Sequence, residues 1–257
     1  MAGWHKDRHD PLDMVHMALS LDAIPSKGSV RSLFAPPIRD QGEIGSCTAN
    51  GGVEAAGFIS HIETGKPDPM FSRLDLYAIT RTLEGTPLAE DSGCQVRDVY
   101  KAMAQSGVCL ESIWPYVVAN FSIRPPRAAA IQALQHKALL YSRCPTLSAI
   151  KSSIVDPTQP APLIGGFTCY ESLQSDEVSK TGDVPLPKMG EQEIGGHCIY
   201  FDGYDDDADD GAGGKGMLEF RNSWGTSWGL TGCGRLPYAY FTRGLASDFW
   251  RLAKNAA

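Results

Sequence analysis

The sequence predicts an α+β protein in which a helical lobe precedes a β-rich lobe. Helix signals dominate the first half: Ala49 to about His61 predicts one helix, and Ser72 resembles the N-cap of a second that runs toward Leu83. After Pro125 and Pro126, segments of β-branched and aromatic residues bounded by Gly and Pro predict strands instead. A chain of 257 residues with 42% hydrophobic content is long enough to bury a substantial core.

The remaining elements follow from the same signals. Arg97 to Ser106 predicts a helix closed by Gly107, and Thr146 to Val155 predicts a helix within the β-rich half. The predicted strands are Lys137 to Cys144, Pro162 to Cys169, His197 to Tyr204, Met217 to Asn222 and Cys233 to Tyr238.

These signals divide the chain into three parts. Residues 1-30 are expected to form an N-terminal extension, in which Asp13 to Leu19 predicts a short amphipathic helix. Residues 31-125 are expected to form the helical lobe, and residues 126-257 the β-rich lobe.

Composition narrows the function classes. A net charge of −7 without basic runs argues against nucleic-acid binding, and no apolar run reaches the roughly 20 residues that a membrane helix needs. The N-terminus lacks the apolar core of a secretory signal, so we expect a cytoplasmic protein, with non-classical secretion as the alternative. We also expect a monomer. Seven scattered cysteines form no CxxC pair, so we expect neither a zinc site nor another metal or cofactor.

The most informative stretch is Gln41-Gly42-Glu43-Ile44-Gly45-Ser46-Cys47. Cys47 directly precedes a predicted helix, so its thiol meets unpaired backbone N–H groups and the positive end of the helix dipole. Both favour the thiolate, which is the nucleophilic form of cysteine. The stretch therefore predicts an activated cysteine nucleophile.

Two later residues complete a catalytic set. A cysteine nucleophile needs a base within hydrogen-bond reach, and the base needs a partner that orients it. His197 begins one predicted strand and Asn222 ends the next, so we expect His197 to transfer protons and Asn222 to fix its tautomer. Gln41 would donate its side-chain N–H to the developing oxyanion, beside the backbone N–H of Cys47.

These motifs resemble those of the papain family (C1) of cysteine peptidases. Gln41 stands six residues before Cys47, His197 follows Cys47 by 150 residues, and Asn222-Ser223-Trp224-Gly225 comes last. The resemblance extends over roughly residues 30 to 240, and the motifs occur in the order of the family.

The resemblance implies a papain-like two-lobe fold with the active site in the cleft between the lobes. It also implies that peptide or protein substrates are cleaved through a thioester, with a thiolate–imidazolium pair and with Trp224 shielding the His–Asn hydrogen bond. The positions that it assigns to substrate binding are Gly93, Cys94, Gly166, Gly196 and Cys198. Because Gly166 would leave the main specificity pocket deep, we expect a bulky apolar side chain at the second residue before the cut.

Some features depart from the family pattern. Ile44 replaces the usual cysteine three residues before the nucleophile, and Thr48 replaces the usual aromatic residue after it. Both indicate a divergent microbial branch, and the lost disulfide indicates a reducing compartment. Residues 1-30 are too few to form the long inhibitory propeptide domain of the family, so we expect them instead to pack near the cleft and restrain the enzyme.

Three functions are compatible with this pattern. The first is an endopeptidase. The second is another enzyme with the same fold, namely a transpeptidase, an amidase or an exopeptidase. An exopeptidase needs a loop that blocks one end of the cleft, and Glu171 to Gly195 is the only loop long enough to do so. The third is a silent peptide-binding module, which the presence of both Cys47 and His197 disfavours.

Overall fold

The structure, a computed structural model, describes residues 3–20, 23–137 and 140–253. Within these ranges the helices are α1 (Cys47–Thr64), α2 (Arg73–Leu83), α3 (Val96–Ser106), α4 (Arg127–Ala133), α5 (Leu147–Val155), α6 (Asp176–Thr181) and α7 (Tyr238–Thr242). The strands are β1 (Trp4–His5), β2 (Lys27–Ser29), β3 (Cys94–Gln95), β4 (Leu140–Arg143), β5 (Leu163–Tyr170), β6 (Glu193–Asp209), β7 (Lys215–Arg221), β8 (Cys233–Pro237) and β9 (Ala246–Ala253).

Helix α1 is the centre of the helical lobe and packs against α2, α3 and the sheet. Its small residues permit this close packing: a Cβ atom added to Gly51 would lie 2.9 Å from Ile164, and one added to Gly52 would lie 2.6 Å from Val99. The predicted helix is confirmed and extends from Cys47 to Thr64. Its first residue is therefore the candidate nucleophile itself.

Three further predicted helices, α2, α3 and α5, are confirmed. The Ser72 hydroxyl accepts the backbone N–H of Asp75 at 3.1 Å, which satisfies one unpaired donor of α2. Helix α3 ends at Gly107, where φ is 75°. In the β-rich lobe, the Thr146 hydroxyl caps α5 in the same way that Ser72 caps α2.

The β-rich lobe is an antiparallel sheet with the strand order β4-β9-β5-β6-β7-β8, and β2 adds to β6. All five predicted strands are present. The first begins at Leu140, because residues 138 and 139 lie outside the described ranges. Strand β9 was not predicted: Asp248 and Arg251 interrupt its apolar pattern, yet both are buried in the strand.

The helix predicted for Asp13 to Leu19 is wrong. The backbone there is extended, because its polar groups pair with β4: Arg143 donates its N–H to the Met14 carbonyl at 2.7 Å, and His16 donates to the Arg143 carbonyl at 2.8 Å. We call residues 3–20 the N-terminal strap. The strap runs from the interface of the two lobes, over α3 and along β4, to α5, where Ser152 Oγ accepts the N–H of Leu19 at 2.9 Å.

Two hydrophobic cores meet at α1. One lies among α1, α2 and α3, and the other lies within the sheet and against α5. Among the described residues, no helix is long and apolar enough to cross a membrane. The interface between the cores is where the candidate catalytic residues come together.

Candidate active site

The candidate nucleophile and base meet where α1 faces β6. Cys47 opens α1, and its Sγ atom accepts the backbone N–H of Cys198 at 3.4 Å. Cys198 directly follows His197 in β6, so this contact brings the thiol beside the residue predicted as the base. Cys47 is 1% exposed and His197 is 2% exposed.

Asn222 and Trp224 orient and cover the imidazole. His197 Nε2 lies 2.8 Å from Asn222 Oδ1, and the same oxygen accepts the backbone N–H of Ser223 at 2.8 Å. Since an amide oxygen only accepts, Nε2 carries the proton and Nδ1 keeps the lone pair that can take a proton from a thiol. Trp224 stacks on the ring with the centroids 4.6 Å apart and the planes at 20°.

Burial favours the neutral forms of Cys47 and His197. Burial raises the pKa of the Cys47 thiol to about 12, although the N–H of Cys198 opposes that shift. Burial lowers the pKa of His197 to about 4, against the hydrogen bond to Asn222. These shifts oppose the predicted thiolate–imidazolium pair while the cleft is closed. The pair stays a prediction for an open cleft, in which water reaches Cys47 and His197.

Two hydrogen bonds hold the side chain of Gln41 against the loop that leads to Cys47, the candidate nucleophile. Its Oε1 atom accepts the hydroxyl of Ser223 at 2.6 Å, and its Nε2 atom donates to the carbonyl of Ile44 at 2.8 Å. An amide nitrogen has two hydrogens, so one remains for an oxyanion. The backbone N–H of Cys47 at the start of α1 is the second candidate donor.

The strap lies in the cleft over Cys47. Gly3 donates its N–H to the carbonyl of Gly196 at 3.1 Å, and its own carbonyl accepts the N–H of Cys94 at 3.0 Å. A Cβ atom on Gly3 would lie 2.7 Å from Cys47 Sγ, so the strap passes directly beside the nucleophile. Strand β1 pairs with β3 in parallel, with Trp4 opposite Cys94.

Trp4 fills the predicted specificity pocket. A Cβ atom on Gly166 would lie 2.0 Å from the Trp4 ring, and one on Gly196 would lie 2.7 Å from it. Gly166 pairs with Cys198 across β5 and β6, so both positions lie in one row of the sheet. The residues predicted to bind substrate therefore surround the start of the strap or lie in the adjoining strands, and their role in substrate binding stays a prediction: Gly93, Cys94, Gly166, Gly196 and Cys198.

A second groove lies beside Trp224 and is not filled by the strap. It has a volume of about 420 Å³ and is lined by Asp40, Gly42, Cys169, Leu173, Gln174, Ser179, Ile194, Trp224 and Trp228. The loop predicted between Glu171 and Gly195 contributes one wall, through a 3-10 turn at Glu171–Gln174 and helix α6. That loop borders this groove.

The cysteines and acidic residues that the structure describes are the candidates for a disulfide or a metal site. All seven cysteines are free thiols, six of them buried. Within residues 3–20, 23–137 and 140–253, no cluster of three or more His, Cys, Asp or Glu side chains could hold a metal ion.

Sequence reasoning missed two parts of the site. It did not single out Trp4, although a lone tryptophan in a polar N-terminal stretch was an available signal. It assigned no role to Asp91 either, yet the Asp91 carboxylate accepts the N–H of Gly45, two residues before Cys47.

Comparison with known proteins agrees with this geometry. The family model of papain family cysteine proteases matches residues 24–247. A peptidase C1-like protein of Acanthamoeba polyphaga mimivirus is 37% identical over 221 residues, which are 82% of this chain and 68% of the viral protein. Cysteine proteinase 1 of Entamoeba histolytica is 27% identical over 82% of this chain and 63% of its own length.

A solved structure agrees as well. The crystal structure of xylellain, a cysteine protease from Xylella fastidiosa, superposes with a TM-score of 0.86 at 30% identity, covering 100% of this chain and 96% of xylellain. The two-lobe α+β fold with helices and an antiparallel sheet is therefore papain-like. The chain belongs to the papain family of cysteine proteases and is a cysteine-type peptidase.

Proposed function

We propose that the protein is an endopeptidase in which Cys47 is the nucleophile and His197 is the base and acid. The observation that carries this assignment is the hydrogen bond between His197 Nε2 and Asn222 Oδ1, which leaves Nδ1 free to take the thiol proton. Gln41 and the backbone N–H of Cys47 supply the oxyanion hole in this proposal.

The reaction follows from these roles. The sulfur attacks the peptide carbonyl after its proton has passed to His197, and the oxyanion forms between the side chain of Gln41 and the N–H of Cys47. The imidazolium then protonates the departing amine, which leaves a thioester on Cys47. Water, deprotonated by His197, hydrolyses the thioester and restores the thiol.

The groove beside Trp224 supports an endopeptidase over an exopeptidase. A substrate that continues past the cut needs space next to the catalytic residues, and the groove of about 420 Å³ borders Trp224, which stacks on His197. We propose that this groove receives the chain beyond the scissile bond. The size of the pocket that holds Trp4 supports a bulky apolar residue at the second position before the cut.

We also propose that the strap restrains the enzyme. Three contacts support this: Gly3 lies beside Cys47, its backbone pairs with Cys94 and Gly196, and Trp4 occupies the pocket over Gly166. A substrate that used the same pocket and backbone groups would have to displace the strap. The form described here would then be the resting enzyme.

Hydrolysis of a fluorogenic peptide with a bulky apolar residue tests both proposals. Trp4→Ala should hydrolyse the peptide faster than the wild type, and Cys47→Ala in either background should remove the activity. Activity that survives Cys47→Ala would refute the nucleophile, and equal rates in the wild type and Trp4→Ala would refute the restraint. Cleavage inside a longer peptide blocked at both ends would distinguish an endopeptidase from an exopeptidase.

The thiol chemistry supports a reducing compartment. All seven cysteines are free, including Cys94 near the nucleophile loop, and Ile44 stands where the resemblance expects a disulfide partner. We therefore keep a cytoplasmic monomer as the proposed state. Gel filtration of the reduced protein at micromolar concentration tests the monomer, since a dimer would elute at twice the mass.

A further inference from the structure

The loop before the nucleophile is tied to the opposite wall of the cleft by one carboxylate. Gly45 donates its backbone N–H to both oxygens of Asp91, at 3.0 and 2.9 Å. Asp91 in turn accepts the hydroxyl of Tyr77 at 2.5 Å, and Tyr77 accepts the N–H of Gly93 at 3.0 Å. Asp91 thus links the nucleophile loop to the wall that pairs with the strap.

The peptide that Asp91 holds is also the one that holds Gln41. The Ile44–Gly45 peptide group donates its N–H to Asp91 and, through its carbonyl, accepts Gln41 Nε2 at 2.8 Å. A hydrogen bond on one side of a peptide group polarises it and strengthens the bond on the other side. The two bonds therefore form one chain from Asp91 through a single peptide to the oxyanion donor.

The same peptide carries the start of α1. The carbonyl of Ile44 also accepts the N–H of Ser46 at 2.9 Å, so its direction fixes the turn into the helix. Without the anchor at Gly45, rotation of this peptide would move the acceptor of Gln41 and leave its amide held only by Ser223. A misdirected oxyanion donor loses transition-state stabilisation while ground-state binding is retained.

We propose that Asp91 is a positioning residue for the peptidase reaction, which acts through the Ile44–Gly45 peptide to aim Gln41 at the oxyanion. Tyr77 completes this function by holding the carboxylate toward the loop. The family resemblance expects a disulfide cysteine at position 44, where this chain has Ile44. The hydrogen bonds of Asp91 and Tyr77 fix the loop to the wall at Gly93 without that disulfide. The proposal rests on the role of Gln41 given above.

A double-mutant cycle tests the proposal. Asp91→Ala, Gln41→Ala and the double variant are made in the full-length Trp4→Ala background, because a change near Gly93 would otherwise also alter strap docking. Asp91→Ala should lower kcat about tenfold, the effect of losing a hydrogen bond to a charged group, and change KM less than twofold. In the Gln41→Ala background, the same substitution should change kcat less than twofold.

The controls separate positioning from general stability. Glu90→Ala removes the neighbouring charge and should leave kcat unchanged. Asp91→Asn keeps one acceptor oxygen and should recover part of kcat; it replaces Asp91→Ala in the cycle if that variant does not fold. Additive losses of Asp91 and Gln41, or a raised KM with unchanged kcat, would overturn the proposal.

The effect of Gln41→Ala alone tests the proposed function and not the role of Asp91. Gln41→Ala alone should lower kcat by about 10²-fold or more. A loss below threefold would remove Gln41 from the mechanism and with it the route proposed for Asp91. A full loss in Gln41→Ala together with unchanged kcat in Asp91→Ala would overturn only the present inference.

Discussion

At the scale of single residues, two adjacent glycines in β5 make room for different side chains on opposite faces of the strand. Gly166 faces the cleft, where its missing side chain makes room for Trp4, and Gly165 faces the core, where a Cβ atom would lie 2.7 Å from Phe249. Side chains alternate between the two faces of a strand, so neighbouring substitutions have different consequences. A glycine-to-alanine substitution therefore perturbs the pocket at Gly166 and the core at Gly165.

The pair predicts a clean separation of function from stability. Gly166→Ala should expel Trp4, speed alkylation of Cys47 by iodoacetamide about tenfold or more, and slow cleavage of peptides with an aromatic residue in the pocket. Gly165→Ala should instead cost about 1–3 kcal/mol of unfolding free energy through overpacking and leave the alkylation rate unchanged. Equal alkylation rates in Gly166→Ala and the wild type would contradict the pocket assignment.

At the scale of elements, the strap is held to β9 by a pair of carboxylates. Asp7 donates its N–H to Asp248 Oδ2 at 2.8 Å and accepts the indole N–H of Trp250 at 2.6 Å. The backbone N–H of Arg97 lies 3.3 Å from Asp7 Oδ1, and the guanidinium of Arg143 pairs with Asp248 at 3.3 Å. Burial, then the charge of Asp248, raise the pKa of Asp7 to about 7.

This pKa makes docking of the strap depend on pH. A released strap would return Asp7 to an ordinary pKa near 3.9, so docking is strongest at acidic pH and weakens as the pH rises from about 4 to 7. The rate of Cys47 alkylation in the wild type, divided by that in Trp4→Ala, should therefore rise over this range. Asp7→Asn should abolish the rise, whereas Asp10→Asn, which removes an equal charge from a partly exposed position of the strap, should retain it.

Elements whose stabilising hydrogen bonds are local in sequence could be predicted, whereas elements whose partners are distant in sequence could not. Helices α2 and α5 carry their caps in the sequence, at Ser72 and Thr146, so local signals located them. The strap has an amphipathic pattern that favours a helix, but its backbone pairs with Arg143, which lies more than 120 positions away in the chain. Strand β9 was missed because its buried charges find partners that are distant in sequence.

The same distinction between local and distant information applies to the candidate active site. The motifs in the sequence predicted Cys47, His197, Asn222 and Gln41 as a set. In the structure His197 contacts Asn222, and Cys47 contacts Cys198, the neighbour of His197. The preference of Cys47 and His197 for their neutral forms comes from burial, which no motif records. The filling of the pocket by Trp4 is a contact between distant segments and needed the three-dimensional structure.

At the scale of the whole molecule, a buried ionic cluster joins the loop before the site to α1. Arg39 is 4% exposed and lies 2.9 Å from Asp68, 3.9 Å from Glu54 and 3.7 Å from Glu111. Burial raises the pKa of Glu54 to about 8, although Arg39 and Arg221 oppose the shift. The fold therefore binds a proton at Glu54 that the unfolded chain releases at lower pH.

The sign of this linkage sets a stability test. The contribution of Glu54 is fully present below its unfolded pKa of about 4.3 and is lost as the pH rises toward 8, by at most about 1.4 kcal/mol per pH unit. Glu54→Gln should therefore gain stability relative to the wild type between pH 5 and pH 8 in urea unfolding. Glu63→Gln, on the exposed face of the same helix, should follow the wild type, and a constant difference for Glu54→Gln would contradict the shift.

The central claim is that the strap closes the active site of an otherwise complete cysteine peptidase. It is tested most directly by the second-order rate constant for inactivation by an epoxysuccinyl peptide at pH 7, with mass spectrometry locating the adduct. Truncating a buried Trp costs about 3 kcal/mol or more, so Trp4→Ala should react at Cys47 on the order of 10²-fold faster than the wild type. Leu12→Ala, at an exposed strap position, should react like the wild type. A wild-type enzyme that reacts as fast as Trp4→Ala would contradict the claim.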